Sequence, residues 1–258
     1  ASGRGAITNG TGSFAFGNQA IASGAISCAL GENAFTQGAE SYAFGRGAKA
    51  MGNRSFAFGS ESPGGTEGGI TWEPASAPEA TGPLSFAFGN GAKAQGRSSI
   101  AIGYNSIASN YFAVAIGSQD TASGSFSTAM GFQTRAKGNA STAMGIQTKA
   151  IGIASTAMGT NTTASGQNST AMGTITVANG YNSTAMGYQT TASGEYSTTM
   201  GYQTTASGRR STAMGSSIVA QGNYSFGIGL DNTQRTITAA NTMAIMGGNV
   251  GIGTVSPS

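Results

Sequence analysis

The chain has 258 residues, of which 43 are glycine and only 8% are charged, with no histidine and a formal net charge of +3. The lack of histidine excludes His-based catalysis and His metal ligands, and a single cysteine excludes a disulfide framework within one chain. No apolar stretch approaches the ~18 residues of a membrane-spanning helix, and glycine does not recur at every third position as in collagen. A nucleic-acid-binding protein would show a denser basic stripe than the lone doublet Arg209-Arg210, so we expect no nucleic-acid partner.

Glycine recurs along the chain at a fixed interval of 14 residues, broken once between Gly59 and Gly89. The first series consists of Gly17, Gly31, Gly45, Gly59, Gly89, Gly103, Gly117, Gly131, Gly145, Gly159, Gly173, Gly187, Gly201, Gly215 and Gly229. The second series lies seven residues later, as at Gly166 and Gly180, and has Asn110 in the one slot of its main run where glycine is missing. Because Asn tolerates positive φ better than most non-glycine residues, we predict a positive-φ turn residue at this slot.

Each 14-residue unit has two halves that both end at a glycine. The first half reads Ser-Thr-Ala-Met-Gly at 183–187 and Ser-Phe-Ala-Phe-Gly at 55–59, and the second reads Thr-Thr-Ala-Ser-Gly at 190–194. Four or five extended residues followed by glycine and a polar pair are typical of a short strand and a turn, and no helical period is present. The sequence therefore predicts an all-β parallel solenoid with two strands per coil.

Strand alternation assigns the residues of each half to two faces. The residue before each first-series glycine is always large and apolar, whereas its neighbours on the opposite face are Ala, Ser or Thr. A coil this small suits Ala, Ser and Thr in its interior, so we expect the large residues to form an outward ladder. The opposite assignment, with the ladder inside, would give a monomeric solenoid. The candidates for the core of a homotrimer are Phe16, Phe44, Phe58, Phe88, Met130, Met144, Met158, Met172, Met186, Met200 and Met214, in line with Leu30, Ile102, Ile116 and Ile228.

Sixteen extra residues interrupt the repeat at about 60–75 and predict a projecting loop. Trp72 is the candidate for contact with a partner, since exposed aromatic residues dominate binding hot spots, but it would equally serve to pack the loop onto a neighbouring chain. Glu61, Glu67 and Glu73 suggest either a calcium loop or a solvated loop, and their spacing matches no EF-hand. Cys28 takes a ladder position in its coil, where we expect a small buried core residue.

The repeat stops after Gly229. We therefore predict a repeat domain over 1–229, with its insertion loop at about 60–75, and a cap or junction module over 230–258.

The units at 168–173 and 182–187, both Asn-Ser-Thr-Ala-Met-Gly, resemble the head repeat of trimeric autotransporter adhesins. The family pattern is Asn-Ser-aliphatic-Ala-Ile-Gly-x-x-Ser in 14-residue units, and the match covers roughly residues 13–229. The resemblance implies a left-handed parallel β-roll solenoid that forms homotrimers and mediates adhesion at a cell surface. Here Thr often replaces the aliphatic residue and Met replaces Ile, which keeps the side-chain volume similar. The repeat itself defines no ligand site, so no binding residue is transferred.

Residues 246–258 form a second, shorter resemblance, to the segment that precedes intramolecular chaperone domains in phage tail spikes and fibres and in large bacterial surface proteins. The chain opens on Ala1 rather than Met, and we expect it to be a fragment or a processed product.

These patterns predict a non-catalytic trimeric fibre segment or adhesin head, outside the cell, that attaches to a cell-surface or matrix receptor, with a glycan as one candidate. The alternatives are a receptor-binding tail fibre of a phage, virus or phage-like injection device, and a purely structural spacer or filament subunit. We expect no enzymatic activity, no cofactor and no metal, because the carboxylates are scattered and no Ser, Cys or Lys stands in an activating context. We also expect no membrane insertion, because no apolar stretch is long enough.

Overall fold

A computed structural model describes residues 1–61, 65–67, 70–72 and 76–250, with the backbone alone for 65–67 and 70–72. All regular elements in these ranges are β-strands, and none is a helix. The predicted all-β solenoid is thereby confirmed. The chain forms two compact units, Ala1–Ala140 and Ser141–Ser258. Residues 251–258, which include most of the shorter C-terminal resemblance, lie outside the described ranges.

The first unit contains short strands separated by tight turns. Their bounds are β1 (Ile7–Thr8), β2 (Phe14–Phe16), β3 (Ile21–Ala22), β4 (Cys28–Leu30), β5 (Phe35–Thr36), β6 (Tyr42–Phe44), β7 (Lys49–Ala50), β8 (Phe56–Phe58), β9 (Gly65–Glu67), β10 (Ile70–Trp72), β11 (Glu79–Ala80), β12 (Phe86–Phe88), β13 (Lys93–Ala94), β14 (Ile100–Tyr104), β15 (Ile107–Ala108), β16 (Val114–Ser118), β17 (Thr121–Ala122), β18 (Thr128–Phe132) and β19 (Arg135–Ala136).

The second unit repeats the same alternation of longer and shorter strands. Their bounds are β20 (Thr142–Ile146), β21 (Lys149–Ala150), β22 (Thr156–Thr160), β23 (Thr163–Ala164), β24 (Thr170–Thr174), β25 (Val177–Ala178), β26 (Thr184–Tyr188), β27 (Thr191–Ala192), β28 (Thr198–Tyr202), β29 (Thr205–Ala206), β30 (Thr212–Ser216), β31 (Ile218–Ala220), β32 (Phe226–Gly229), β33 (Arg235–Ile237) and β34 (Met243–Met246).

Within each unit the strands form two parallel sheets. Even-numbered strands make the ladder sheet and odd-numbered strands make the second sheet, except for β9 and β10, which pair as an antiparallel hairpin. In most coils each residue pairs with the residue 14 positions later, so that Phe44 faces Phe58 and Met158 faces Met172. The register follows from the repeat itself, because a chain that returns every 14 residues offers the same donors and acceptors to the next coil.

The interior between the two sheets is lined by small side chains. Ala157 and Ala171 of the ladder sheet and Ala164 and Ala178 of the second sheet have no exposed surface, and Thr176 is equally buried. The large residues before the first-series glycines point outward, which confirms the assignment of Ala, Ser and Thr to the interior.

Glycine meets two needs at the turns, positive φ at the first corner and close approach of neighbouring coils at both corners. At the first corner, which follows a ladder strand, glycine has positive φ, as in Gly159 with φ 117°. At the second corner, which follows a second-sheet strand, coils approach so closely that a Cβ on Gly166 would lie 2.0 Å from the carbonyl oxygen of Gly180. The prediction of positive φ at Asn110 is wrong, because Asn110 occupies this close-approach position and the positive φ of 53° belongs to Phe112.

The third residue of nearly every corner, counting the glycine as the first, adopts the left-handed conformation. Gln189 at a first corner has φ 53°, and Tyr196 at a second corner has φ 57°. The backbone N–H of Tyr196 donates to the carbonyl of Tyr181 one coil earlier, at 2.8 Å. The corners are therefore hydrogen-bonded along the stack in the same way as the strands.

Beyond Gly229 the chain completes a longer coil through β33 and β34, which extend the two sheets in parallel. The interior here holds larger side chains, since Ile218 and Ile237 are both buried. Gly227 takes the place of the usual interior Ala, and a Cβ there would lie 2.7 Å from Cδ1 of Ile237. The smaller residue at one position thus compensates for the larger residues at the others.

Candidate functional site

The outward surface of the ladder sheet is the main candidate site, and we call it the ladder face. It presents two side-chain columns, one at the residue before each first-series glycine and one at the residue two positions earlier. Phe16 and Phe88 retain 52% and 51% of their surface exposed, which is far more than core residues of this size keep. Neighbouring rings stack along the ladder, as for Phe44 and Phe58 with centroids 4.8 Å apart.

The predicted trimer-core residues all lie on this face. They are Phe16, Phe44, Phe58 and Phe88 with Met130 in the first unit, and Met144, Met158, Met172, Met186, Met200 and Met214 in the second. In most coils of the first unit the second column is apolar as well, for example at Phe14, Phe56 and Val114, whereas most coils of the second unit have Thr there. Most coils of the first unit therefore offer a broader apolar surface than most coils of the second.

The family model of the YadA head domain repeat, which describes two copies of the repeat, matches most of the chain. The matched segments are 1–20, 9–35, 37–62, 80–106, 94–119, 122–148, 150–174, 178–198 and 200–217. The chain belongs to the YadA head-repeat family. The resemblance to the heads of trimeric autotransporter adhesins is thereby confirmed, while the comparison with curated proteins found no match.

In this chain of YadA head repeats, the single cysteine lies on the ladder face. Cys28 begins β4 between Phe14 and Tyr42 of the neighbouring coils. The sequence suggested a buried core residue, whereas Cys28 is only partly buried in the single chain. This partial burial raises the pKa of its thiol.

The insertion forms a hairpin from β9 and β10, and its backbone register pairs Trp72 with Gly65. The side chains of Trp72 and Glu67, and the whole of Glu73, lie outside the described residues. Glu61 lies at the base of the insertion and forms an ion pair with Arg46 at 3.3 Å. The prediction that Trp72 contacts a partner stays a prediction.

The corner aromatics lie in rows along the stack. Tyr188 and Tyr202 at successive first corners stack with centroids 5.4 Å apart and planes 7° apart. Each ring therefore covers one face of the other, which leaves less ring surface for stacking on a sugar than two isolated rings would offer.

Asp120 has a buried carboxylate, a feature often found at functional sites, and the sequence pattern did not identify it. Its carboxylate is fully buried in the first unit and accepts hydrogen bonds from the N–H of Gly131 at 2.9 Å and from both N–H and Oγ1 of Thr134 at 2.7 Å. These donors satisfy the carboxylate within the fold, so Asp120 is a structural residue.

Among the residues that the structure describes, no group of three or more His, Cys, Asp or Glu side chains is arranged to hold a metal. The same part of the chain has no helix long and apolar enough to cross a bilayer.

Proposed function

We propose that three copies of the chain pack ladder face to ladder face around a common axis and form the head of a surface fibre that attaches to cells or matrix. The supporting observation is that the large apolar side chains point outward in every coil while alanine fills the interior. The exposed apolar strip of each unit exceeds what a soluble monomer tolerates. Full burial of one such side chain contributes about 1.5–3 kcal/mol, so covering the strip strongly favours assembly.

A second copy of the same chain is the partner that matches the ladder face in length and spacing. The coils of every copy repeat with the same strand spacing, so parallel copies bring equivalent residues to the same level. Closed rotational symmetry then covers every ladder face without leaving one open. The number three rests on the family, whose members are the heads of trimeric adhesins.

The assembly is tested by native mass spectrometry on the wild-type chain and two lysine variants. The wild-type protein should contain three chains, and Met172→Lys should lower the number because it places a charge on the ladder face. Thr163→Lys is the matched control, since Thr163 lies on the outward side of the second sheet and should leave the trimer intact. A stable wild-type monomer would contradict the proposal.

Attachment is tested with the same protein on cells and on matrix-coated surfaces. We propose that the faces not buried by assembly, together with the hairpin of the insertion, contact the target. Deletion of residues 60–75 restores the 14-residue interval, so the variant should remain trimeric and bind less. A wild-type trimer that binds no cell type and no matrix protein would instead favour a structural spacer.

A further inference from the structure

Four consecutive second corners near the end of the second unit carry a row of three tyrosines and one arginine. Tyr181, Tyr196, Arg210 and Tyr224, here called the Tyr–Arg column, come from consecutive coils. Tyr181 and Tyr196 meet edge to face with centroids 5.6 Å apart. The guanidinium carbon of Arg210 lies 5.5 Å from the ring centroid of Tyr196 and 5.5 Å from that of Tyr224. The cation is therefore held by aromatic rings of the coils before and after it.

Arg210 differs from its neighbour Arg209 in how its charge is balanced. Arg209 forms an ion pair with Glu195 at 3.3 Å. Within the described part of the chain, Arg210 has no carboxylate at ion-pair distance, and Nη1 donates to the Tyr224 hydroxyl at 3.3 Å. A guanidinium has five N–H donors, all in its own plane. Within the described residues Nη1 is the one side-chain donor of Arg210 in a hydrogen bond, so other donors and the positive charge remain available.

We propose that the Tyr–Arg column is a binding site for an acidic glycan, in which the in-plane donors of Arg210 take a carboxylate or sulfate group. A planar fork of donors matches such a group in a two-bond contact, and the aromatic contacts preorganise the fork. Tyr181, Tyr196 and Tyr224 are 41%, 44% and 48% exposed, so ring edges and hydroxyls stand beside the bound anion and can contact sugar carbons and hydroxyls.

The backbone at this corner favours a glycan over an acidic peptide. The N–H groups of Tyr196, Arg210 and Tyr224 donate to carbonyls one coil earlier at 2.7–2.8 Å. The N–H of Arg209 donates to Asn223 Oδ1 at 2.9 Å. These donors are occupied and are not available for backbone pairing with an extended peptide, so recognition rests on side chains. The inference rests on the proposed attachment function, because such a glycan would be met at a cell surface or in a matrix.

The test measures binding of a fluorescent sulfated glycosaminoglycan oligosaccharide and of a uronate-only oligosaccharide to the purified full chain by polarisation. Arg210→Ala should weaken binding of at least one of them by about tenfold, the value of one charge-assisted two-bond contact. Arg209→Ala is the matched control and should change affinity less than about threefold, because the charge of Arg209 is already balanced. Arg210→Lys keeps the charge but loses the fork, so it should bind nearly as weakly as Arg210→Ala. Tyr224→Phe should keep most of the affinity and Tyr224→Ala should not, and the thermal melting curve of each variant checks folding.

Four results would overturn the inference. Equal losses for Arg209→Ala and Arg210→Ala, with full rescue by Arg210→Lys, would show diffuse charge attraction without a site. A polyglutamate peptide that competes as well as the oligosaccharides would assign the column to acidic proteins. Absence of binding to both oligosaccharides would remove the site. If Arg210→Ala attaches to cells as wild type does, the inference fails while the attachment function stands. If wild type binds the oligosaccharides but no cells or matrix, the attachment function fails instead.

Discussion

Ile175 is a β-branched residue in a backbone conformation that such residues rarely adopt, with φ 56° at the third position of a first corner. The equivalent position one coil earlier is Asn161, which tolerates this conformation better. Since Ile175 is also 42% exposed, little packing is lost on replacement. We expect Ile175→Asn to raise the free energy of unfolding by about 0.5–1 kcal/mol, measured by chemical denaturation.

Ile146→Asn is the control for this effect. Ile146 also lies at a first corner and is half exposed, but it is the second residue of that corner and has no positive φ. We expect no stabilisation from Ile146→Asn, and an equal gain in both variants would show that removal of exposed apolar surface is the cause.

At the second corner, Gly166 is required for space. A Cβ there would lie 2.0 Å from the carbonyl oxygen of Gly180, so Gly166→Ala must displace the backbone of the two coils at this corner. We expect a loss of at least about 3 kcal/mol in the free energy of unfolding. In Gly12→Ala the new Cβ meets its nearest atom only at 3.8 Å, so the cost should stay near the ~1 kcal/mol of a left-handed alanine. Similar losses in the two variants would contradict the close-approach explanation.

At the scale of the strands, interior hydroxyls fall into two groups. The Ser169 hydroxyl donates to the carbonyl of Gly166 at 2.6 Å, whereas the buried Thr176 hydroxyl has no hydrogen-bond partner within the described residues. Valine has nearly the same shape as threonine, so it fits the same space without the unpaired hydroxyl. We expect Thr176→Val to stabilise the protein by about 1 kcal/mol and Ser169→Ala to destabilise it by a similar amount. Thermal unfolding of both variants measures the contrast, and a loss in both would show that Thr176 is hydrogen-bonded in solution.

The last two strands depend on an ion pair that responds to acid. The Arg235 guanidinium donates to the Asp231 carboxylate and lowers the pKa of Asp231, aided by the N–H of Thr233. A lowered folded-state pKa favours folding above the ordinary aspartate pKa, and this contribution is lost as the pH falls through the lowered value. We therefore expect amide protection in β33 and β34 to decrease below about pH 4, measured by hydrogen exchange. Asp231→Asn should already show the lower protection at neutral pH and should remove this pH dependence.

The repeat made the strands, their register and the ladder face predictable, because the 14-residue interval appears directly in the sequence and small residues such as alanine, serine and threonine suit so thin an interior. The corners were less predictable. Glycine at a first corner combines positive φ with close approach of two backbones, whereas glycine at a second corner serves close approach alone. The sequence does not distinguish these two cases, which is why Asn110 was misassigned. The Tyr–Arg column was missed because corner side chains do not repeat from coil to coil, so no periodic signal marked Arg210.

At the scale of the whole molecule, the composition of the ladder changes along the chain. Phenylalanine dominates from Phe16 to Phe88, isoleucine follows, and methionine continues from Met130 to Met214. In a parallel trimer each residue type meets its own kind at the axis, whereas antiparallel copies would place phenylalanine against methionine. Whether the copies pack parallel or antiparallel can therefore be determined by asking which residues meet at a single level of the ladder.

Cys28 makes this measurement possible, because it is the only cysteine and lies on the ladder face near one end of the chain. In a parallel trimer three Cys28 thiols meet at one level of the axis, and a bifunctional reagent joins only two of them. We expect a short bis-maleimide to give crosslinked dimers and unlinked monomers on a denaturing gel, with no crosslinked trimers. Burial raises the pKa of the Cys28 thiol, so the reaction should speed up as the pH rises. Antiparallel copies would hold the thiols far apart and give no dimer. In a Cys28→Ser chain with Thr121→Cys on the outward side of the second sheet, crosslinks within a trimer should disappear.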